Sequence, residues 1–206
     1  MFKMPVLQPH EYDISYFDGR KATLTHNAGY SSYERWYRMN GSISLGEFWK
    51  DYTARLTSTH NLQDKKVLEI GCAKGFVVQD LRDMGVDAWG LDVSEYAIGE
   101  ADPSVQPYLI QGDARTALSQ FKNKEFDVVF SLRVLTCFDD VDLPTLVSEL
   151  NRIAKYQFHV IDESVGKKQG TSKYYNSKPL SEWLVYNWDK GTRLVYHENI
   201  NRVLIK

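Results

Sequence analysis

The segment Val67-Leu68-Glu69-Ile70-Gly71-Cys72-Ala73-Lys74-Gly75 is an apolar run that ends in a turn with glycines four apart, then passes into an amphipathic stretch through Leu81 toward Gly85. A buried strand feeding a helix opens a parallel sheet, because parallel neighbours need a crossover between them. The alternation continues with strands at Val86 to Leu91, Pro107 to Ile110, Phe126 to Phe130 and Tyr156 to Ile161. Helices are predicted at Ala114 to Phe121 and at Leu143 to Lys155, the second capped by Asp142 with Pro144 in its first turn. Leu180 to Trp188 reads as a further helix. Thr192 to Tyr196 and Arg202 to Ile205 read as two last strands around a turn at Glu198-Asn199, which predicts a closing antiparallel hairpin. The expected fold is α/β, a three-layer α/β/α sandwich over a mostly parallel sheet.

Residues 1–62 differ. Tyr12, Tyr16, Phe17, Tyr30, Tyr33, Trp36 and Tyr37 crowd an irregular stretch, followed by Leu45, Phe48, Trp49, Tyr52 and Leu56 on one helical face. Ser31 to Glu34 and Ser44 to Glu47 have capping-box spacing. These features predict an N-terminal aromatic cap or lid (1–62) on a core domain (63–206), with Lys167 to Lys178 as a long loop. At 43% hydrophobic and 25% charged residues the chain is no disordered polymer. No apolar run is long enough for a bilayer helix and no signal-peptide h-region opens the chain, so a soluble cytoplasmic protein is expected. Cys72 and Cys137 are too far apart for a CxxC site, and no two histidines have metal-ligand spacing, so no metal is expected.

Glycine spacing narrows the ligand. A strand running into a helix N-terminus is expected to aim backbone N–H groups at a ligand, with glycine allowing close approach. A dinucleotide turn requires Gly-x-Gly-x-x-Gly, but Ala73 and Phe76 occupy the second and third glycine places. The Gly-x-x-x-x-Gly-Lys-Ser/Thr phosphate loop is absent as well. Asp92 ends the second strand, where an acid can accept from a ribose diol, and Asp113 ends the third, where it can accept from an exocyclic amine. Each has a purely structural reading: Gly71 as a turn, Asp92 as a cap for the helix through Ala97, Asp113 as a cap for the next helix. Their order at successive strand ends points to a nucleoside without diphosphate.

With Glu69-Ile-Gly71-Cys-Ala-Lys-Gly75, Gly90-Leu-Asp92-Val-Ser, Gln111-Gly-Asp113-Ala and Phe126-Asp-Val-Val-Phe-Ser131-Leu-Arg-Val-Leu135, the chain resembles the class I S-adenosylmethionine-dependent methyltransferases, in particular their small-molecule, methyltransferase-type-11-like branch. The resemblance covers residues 65–162. It implies a seven-stranded Rossmann-like sheet, S-adenosyl-L-methionine as cofactor and S-adenosyl-L-homocysteine as product. Glu69, Gly71, Cys72, Ala73 and Gly75 would then lie along the methionine part, Asp92 at the ribose and Val93 on the adenine face. Asp113 with Ala114 would sit at the adenine amine, and Ser131 and Leu132 near the sulfonium. Two positions depart from the pattern. Cys72 stands where many relatives have glycine, and Leu135-Thr136-Cys137-Phe138 replaces a common Leu-Glu-His run.

Transfer from a sulfonium is an in-line displacement that positioning and water exclusion can largely drive, so a dedicated base is optional. His26, Tyr30, Tyr33 and Arg133 are the candidate substrate contacts, each with a packing or surface alternative. There is no Asn/Asp-Pro-Pro-aromatic run after the fourth strand and no Pro-Cys pair, and residues 1–150 are acidic overall, so nucleic acid is disfavoured. The expected partner is a small-molecule acceptor, a metabolite, sugar or lipid-like compound. Two alternatives remain: a cofactor-binding module without catalysis, and an aminopropyl-type transferase using Asp139, Asp140 and Asp142.

Overall fold

The computed structural model describes residues 8–18, 45–161, 176, 178, 180–190 and 192–196. Its strands are β1 (Lys66–Ile70), β2 (Asp87–Asp92), β3 (Leu109–Gln111), β4 (Phe126–Leu132), β5 (Ala154–Ile161) and β6 (Arg193–Tyr196). They form one sheet in the order β3-β2-β1-β4-β5-β6, and every pairing is parallel. The chain winds outward from β1 to β3, then restarts on the other side of β1 with β4. This reversal opens a crevice at the carboxyl ends of β1 and β4, the usual place for a ligand in such sheets.

The helices are α1 (Ile14–Asp18), α2 (Leu45–His60), α3 (Phe76–Asp83), α4 (Glu95–Gly99), α5 (Ala114–Ala117), α6 (Leu143–Ile153) and α7 (Leu180–Trp183). Alternation along each strand sends successive side chains to opposite faces. On one face Val67, Ala88, Val128, Phe130 and Phe158 pack against Tyr52 and Leu56 of α2 and Val77, Val78 and Leu81 of α3. On the other, Leu68, Ile70, Leu91, Val129 and Ile161 pack against Leu146 and Leu150 of α6, Leu118, and Trp183 of α7. Each such buried aliphatic side chain contributes roughly 1.5–3 kcal/mol of transfer free energy. Tyr52 and Leu56 thus serve the sheet layer. The capping boxes at Ser31 and Ser44 lie outside the described residues. Among the described residues no helix is long and apolar enough to cross a membrane.

Several boundaries shift for local reasons. Pro107 has no N–H to give a ladder, so Gln106–Tyr108 is a 3-10 turn and β3 begins at Leu109. The chain leaves α6 directly into β5, which ends the helix at Ile153. Asp142 occupies the N-cap of α6 but makes no cap bond; its carboxylate faces Arg115 at 3.5 Å instead. After one turn of α7 the Trp188 indole N–H donates to the Trp183 carbonyl at 2.9 Å, folding the following residues back, so the helix expected to Trp188 stops at Trp183.

The expected C-terminal antiparallel hairpin is described only in its first strand, β6. β6 pairs with β5 in parallel, Phe158 opposite Arg193 through Ile161 opposite Tyr196, because a long connection containing α7 carries the chain back to the sheet's starting edge. Among the described residues the sheet has six strands and no antiparallel one, and the seventh expected strand, Arg202 to Ile205, lies outside them.

Gly90 in β2 shows how tightly the switch point is packed: a Cβ there would stand 2.7 Å from the Cβ of Cys72 and 2.6 Å from its sulfur. Cys72 therefore fills the room that Gly90 leaves. Gly90→Ala should cost about 1–3 kcal/mol in denaturant unfolding through overpacking. Adding Cys72→Gly should recover part of that loss in a double-mutant cycle, and strictly additive effects would show that the two positions do not meet.

Candidate functional site

The carboxyl ends of β1 and β2 bring two acids together in the interior. Glu69 lies in β1 between Gly90 and Phe130 in register, and it is 3% exposed. Its Oε2 is buried with no hydrogen-bond partner among the described residues. Burial, and then the charge of Asp92, push the Glu69 carboxyl well above the usual carboxylate range. Burial also raises Asp92, against the pull of backbone N–H groups from Ser94, Ala73 and Val93. An oxygen of Asp92 accepts from Ala73 N–H at 2.7 Å, and the other accepts from Ser94 N–H at 2.8 Å. Asp92 thus clamps the glycine loop to the start of α4, a role beyond the ribose contact that its position suggests. It does not cap α4; the Ser94 hydroxyl accepts from Ala97 N–H and does that.

The loop itself does not aim its N–H groups outward as expected. Gly71 and Cys72 donate to the Leu91 carbonyl at 2.7 and 3.3 Å, Ala73 to Asp92, and Gly75 to the Cys72 carbonyl at 2.8 Å. Gly71 and Gly75 both have φ near +75°, the left-handed region that glycine enters without strain. A Cβ at Gly71 would overlap a methyl group of Val134, so the missing side chain first makes room for the chain that follows β4. Helix α3 begins at Gly75 with no side-chain cap, which leaves its N-terminus open toward the crevice.

At the end of β3, Asp113 caps α5 through Arg115 N–H at 3.0 Å and forms a forked ion pair with the Arg115 side chain, 2.6 Å at the closest. Burial would raise its pKa, but the Arg115 hydrogen bonds and charge hold it below the ordinary value. Half-buried Val93 gives its carbonyl to Gln111 at 3.2 Å, and Ala114 is buried in the core. The N-terminal residues sit over this edge. Phe17 is buried against Ala73 and Ala97, with Tyr12, Tyr16 and Tyr96 around it. The Ser94 hydroxyl donates to the Tyr12 carbonyl at 2.5 Å.

On the β4 side, Ser131 is fully buried and Leu132 is half-buried. Arg133 follows at φ +64°, with its N–H on the Val160 carbonyl at 2.8 Å. Downstream, Asp140 accepts from Lys178 at 2.6 Å, Asn176 at 2.8 Å and the Tyr186 hydroxyl at 3.2 Å, and Lys178 lies over the rings of Trp183 and Tyr186. The candidate contacts His26, Tyr30 and Tyr33 lie outside the described residues. The structure adds His159, whose ring nitrogen stands 2.8 Å from the Ser131 hydroxyl. It is a buried polar residue of β5, on the same face as Gln157, and the alternation of these two with Phe158 and Val160 was the signal in the sequence.

Comparison with known proteins follows this geometry. Residues 68–159 match the family model described as a methyltransferase domain. The chain is 26% identical over 138 residues to a magnesium-protoporphyrin O-methyltransferase of Synechocystis sp., covering 60% of each. It is 31% identical over 152 residues to a ubiquinone biosynthesis O-methyltransferase of Sinorhizobium medicae, covering 72% of this chain and 61% of that one. It spans between about half and three-fifths of the length of the curated relatives it matches. A solved structure of a SAM-dependent methyltransferase from Archaeoglobus fulgidus is similar at a TM-score of 0.49 and 24% identity, covering 62% of this chain and 54% of that one. The likeness to known methyltransferases is thus carried by residues 68–159, which match the methyltransferase domain.

Proposed function

We propose that this chain transfers the methyl group of S-adenosylmethionine to an oxygen of a small-molecule acceptor. The observation that carries the reading is the buried acid pair, Glu69 and Asp92, with one Glu69 oxygen left without a partner. A ligand with diphosphate would meet two buried carboxyls and a loop whose Gly71, Cys72, Ala73 and Gly75 N–H groups are already used, whereas a cationic nucleoside would find the charge it lacks. The residues present fit S-adenosylmethionine on that ground, and when bound it supplies a methyl group on a good leaving group.

Within this reading Glu69 balances the cofactor's positive charge, and Asp92 uses its remaining lone pairs on the ribose while clamping the loop. Asp113 with Ala114 and Val93 border the adenine, and Ser131 and Leu132 lie on the sulfonium side. The part of 1–62 that precedes α2 acts as a lid on the core, while α2 itself packs on the sheet; the lid is supported by the seat of Phe17 on Ala73. His26, Tyr30, Tyr33 and Arg133 stay the proposed acceptor contacts. The small-molecule oxygen acceptor is supported by three relatives named O-methyltransferases, one for magnesium-protoporphyrin and two for ubiquinone biosynthesis. Aminopropyl chemistry is not favoured, because Asp140 holds Lys178 and Asp142 faces Arg115, which leaves these acids committed to the chain's own cations.

Calorimetry with S-adenosylmethionine tests the reading. Binding should release a proton near the raised Glu69 pKa, seen as a dependence of the heat on buffer ionisation enthalpy, because a nearby cation lowers that pKa again. Glu69→Gln should abolish that release and weaken affinity about tenfold or more; no retention of the cofactor by the wild-type chain ends the proposal. Since the folded-state pKa of Glu69 lies above its unfolded value, ionising it opposes folding. The ligand-free chain should lose stability as pH climbs from the ordinary carboxylate range through the raised value. Asp92 adds the same sign, so the difference between wild-type and Glu69→Gln melts isolates Glu69, and identical slopes would place it in water. Asp92→Ala should destabilise even the ligand-free chain, by about 2–4 kcal/mol, through loss of two charge-assisted bonds to buried N–H groups. An unchanged melting temperature would remove the clamp.

A further inference from the structure

A line of polar groups, buried at Ser131, His159 and Gln157 and half-buried at Asn151, runs away from the site on the α6 face of the sheet. Asn151 of α6 donates to the Asn187 carbonyl at 2.6 Å and accepts from Asp189 N–H at 3.1 Å. A carbonyl only accepts and a backbone N–H only donates, so these two anchors fix which way the Asn151 amide faces. Gln157 must therefore donate its amide N–H to Asn151 Oδ1, at 2.6 Å, and turn its own oxygen toward His159 Nε2, at 3.1 Å. That contact is a hydrogen bond only if Nε2 carries the ring proton. His159 Nδ1 is then the bare nitrogen, and the Ser131 hydroxyl, 2.8 Å away, must donate to it. Its one hydrogen committed, Ser131 has an oxygen that can only accept.

Ser131 stands opposite Ile70 in register, at the carboxyl ends of β4 and β1 beside the glycine loop. We propose that His159 is a positioning residue that turns the Ser131 O–H dipole with its negative end toward the ligand, so that the site holds the sulfonium form of the cofactor in preference to the neutral thioether product. Ser131 is fully buried and need not touch the ligand, since a fixed dipole acts through a low-dielectric interior over several ångströms. Burial pushes the His159 pKa down to about 3, which keeps the imidazole neutral and the hydrogen-bond direction constant. The inference rests on the S-adenosylmethionine reading above and adds product discrimination to it.

The test compares affinities of the full chain for S-adenosylmethionine and for S-adenosylhomocysteine, which differ at the sulfonium. Ser131→Ala and His159→Leu should each weaken S-adenosylmethionine about fivefold and leave S-adenosylhomocysteine unchanged. His159→Asn, whose amide oxygen can replace Nδ1 as acceptor, should keep the wild-type ratio. Equal loss of both ligands means a merely structural role, and no change in either, or a loss confined to the thioether, also overturns the proposal. If His159→Leu does not fold, Ser131→Ala decides, because it deletes a single buried oxygen. Imidazole nitrogen spectra of the wild-type chain should show a neutral ring protonated on Nε2 at neutral pH, and an Nδ1–H tautomer or an imidazolium rejects the relay. Failure of the wild-type chain to bind either ligand removes the S-adenosylmethionine reading itself, whereas the spectra report on the relay alone.

Discussion

The arrangement of the site depends on the carboxylate of Asp92. One oxygen holds the loop after β1 through Ala73, and the other holds the start of α4 through Ser94. Ser94 in turn caps α4 and grips the Tyr12 carbonyl, so the seat of the N-terminal residues over Ala73 hangs on the same carboxylate. In a buried setting such charge-assisted bonds gain strength and their loss leaves N–H groups that water cannot reach. Ala73 adopts φ +50°, a conformation a non-glycine residue holds only when its surroundings impose it.

Burying charge in this way has an electrostatic consequence. Asp92 is satisfied by backbone donors, but Glu69 beside it is not; burial raises the pKa of both, and the charge of Asp92 raises Glu69 further. A ligand that brings positive charge relieves that tension. Stability and binding are then opposed at Glu69, as expected where a site is arranged for its ligand.

The far side of the crevice is fixed by different means. Arg133 turns the chain at a positive φ after β4, Val134 closes on Gly71, and Asp140 fastens the Asn176 and Lys178 region to the segment after β4. The Lys178 ammonium, 7% exposed, is compensated both by the Asp140 carboxylate and by the faces of Trp183 and Tyr186. Two distant parts of the chain thereby meet at one edge of the site.

The sequence by itself determined the parallel α/β layering, because alternating apolar strands and amphipathic helices leave few other ways to bury Val67, Leu68, Val128 and Val129. It also placed Glu69, Gly71, Asp92 and Asp113 at successive strand ends, since strand length and the turn after it are local properties. Partners chosen across space were not legible. That the loop N–H groups bind Leu91 and Asp92, that Asp113 is held by Arg115, and that His159 meets Ser131 depend on which strands lie side by side. The place of β6 was likewise beyond local reading: a short apolar run does not say which strand it lies beside, and only tertiary contacts set it in parallel against β5. Periodicity reports what faces the core, whereas hydrogen-bond partners and strand direction are settled by the tertiary contacts that compete for each buried polar group.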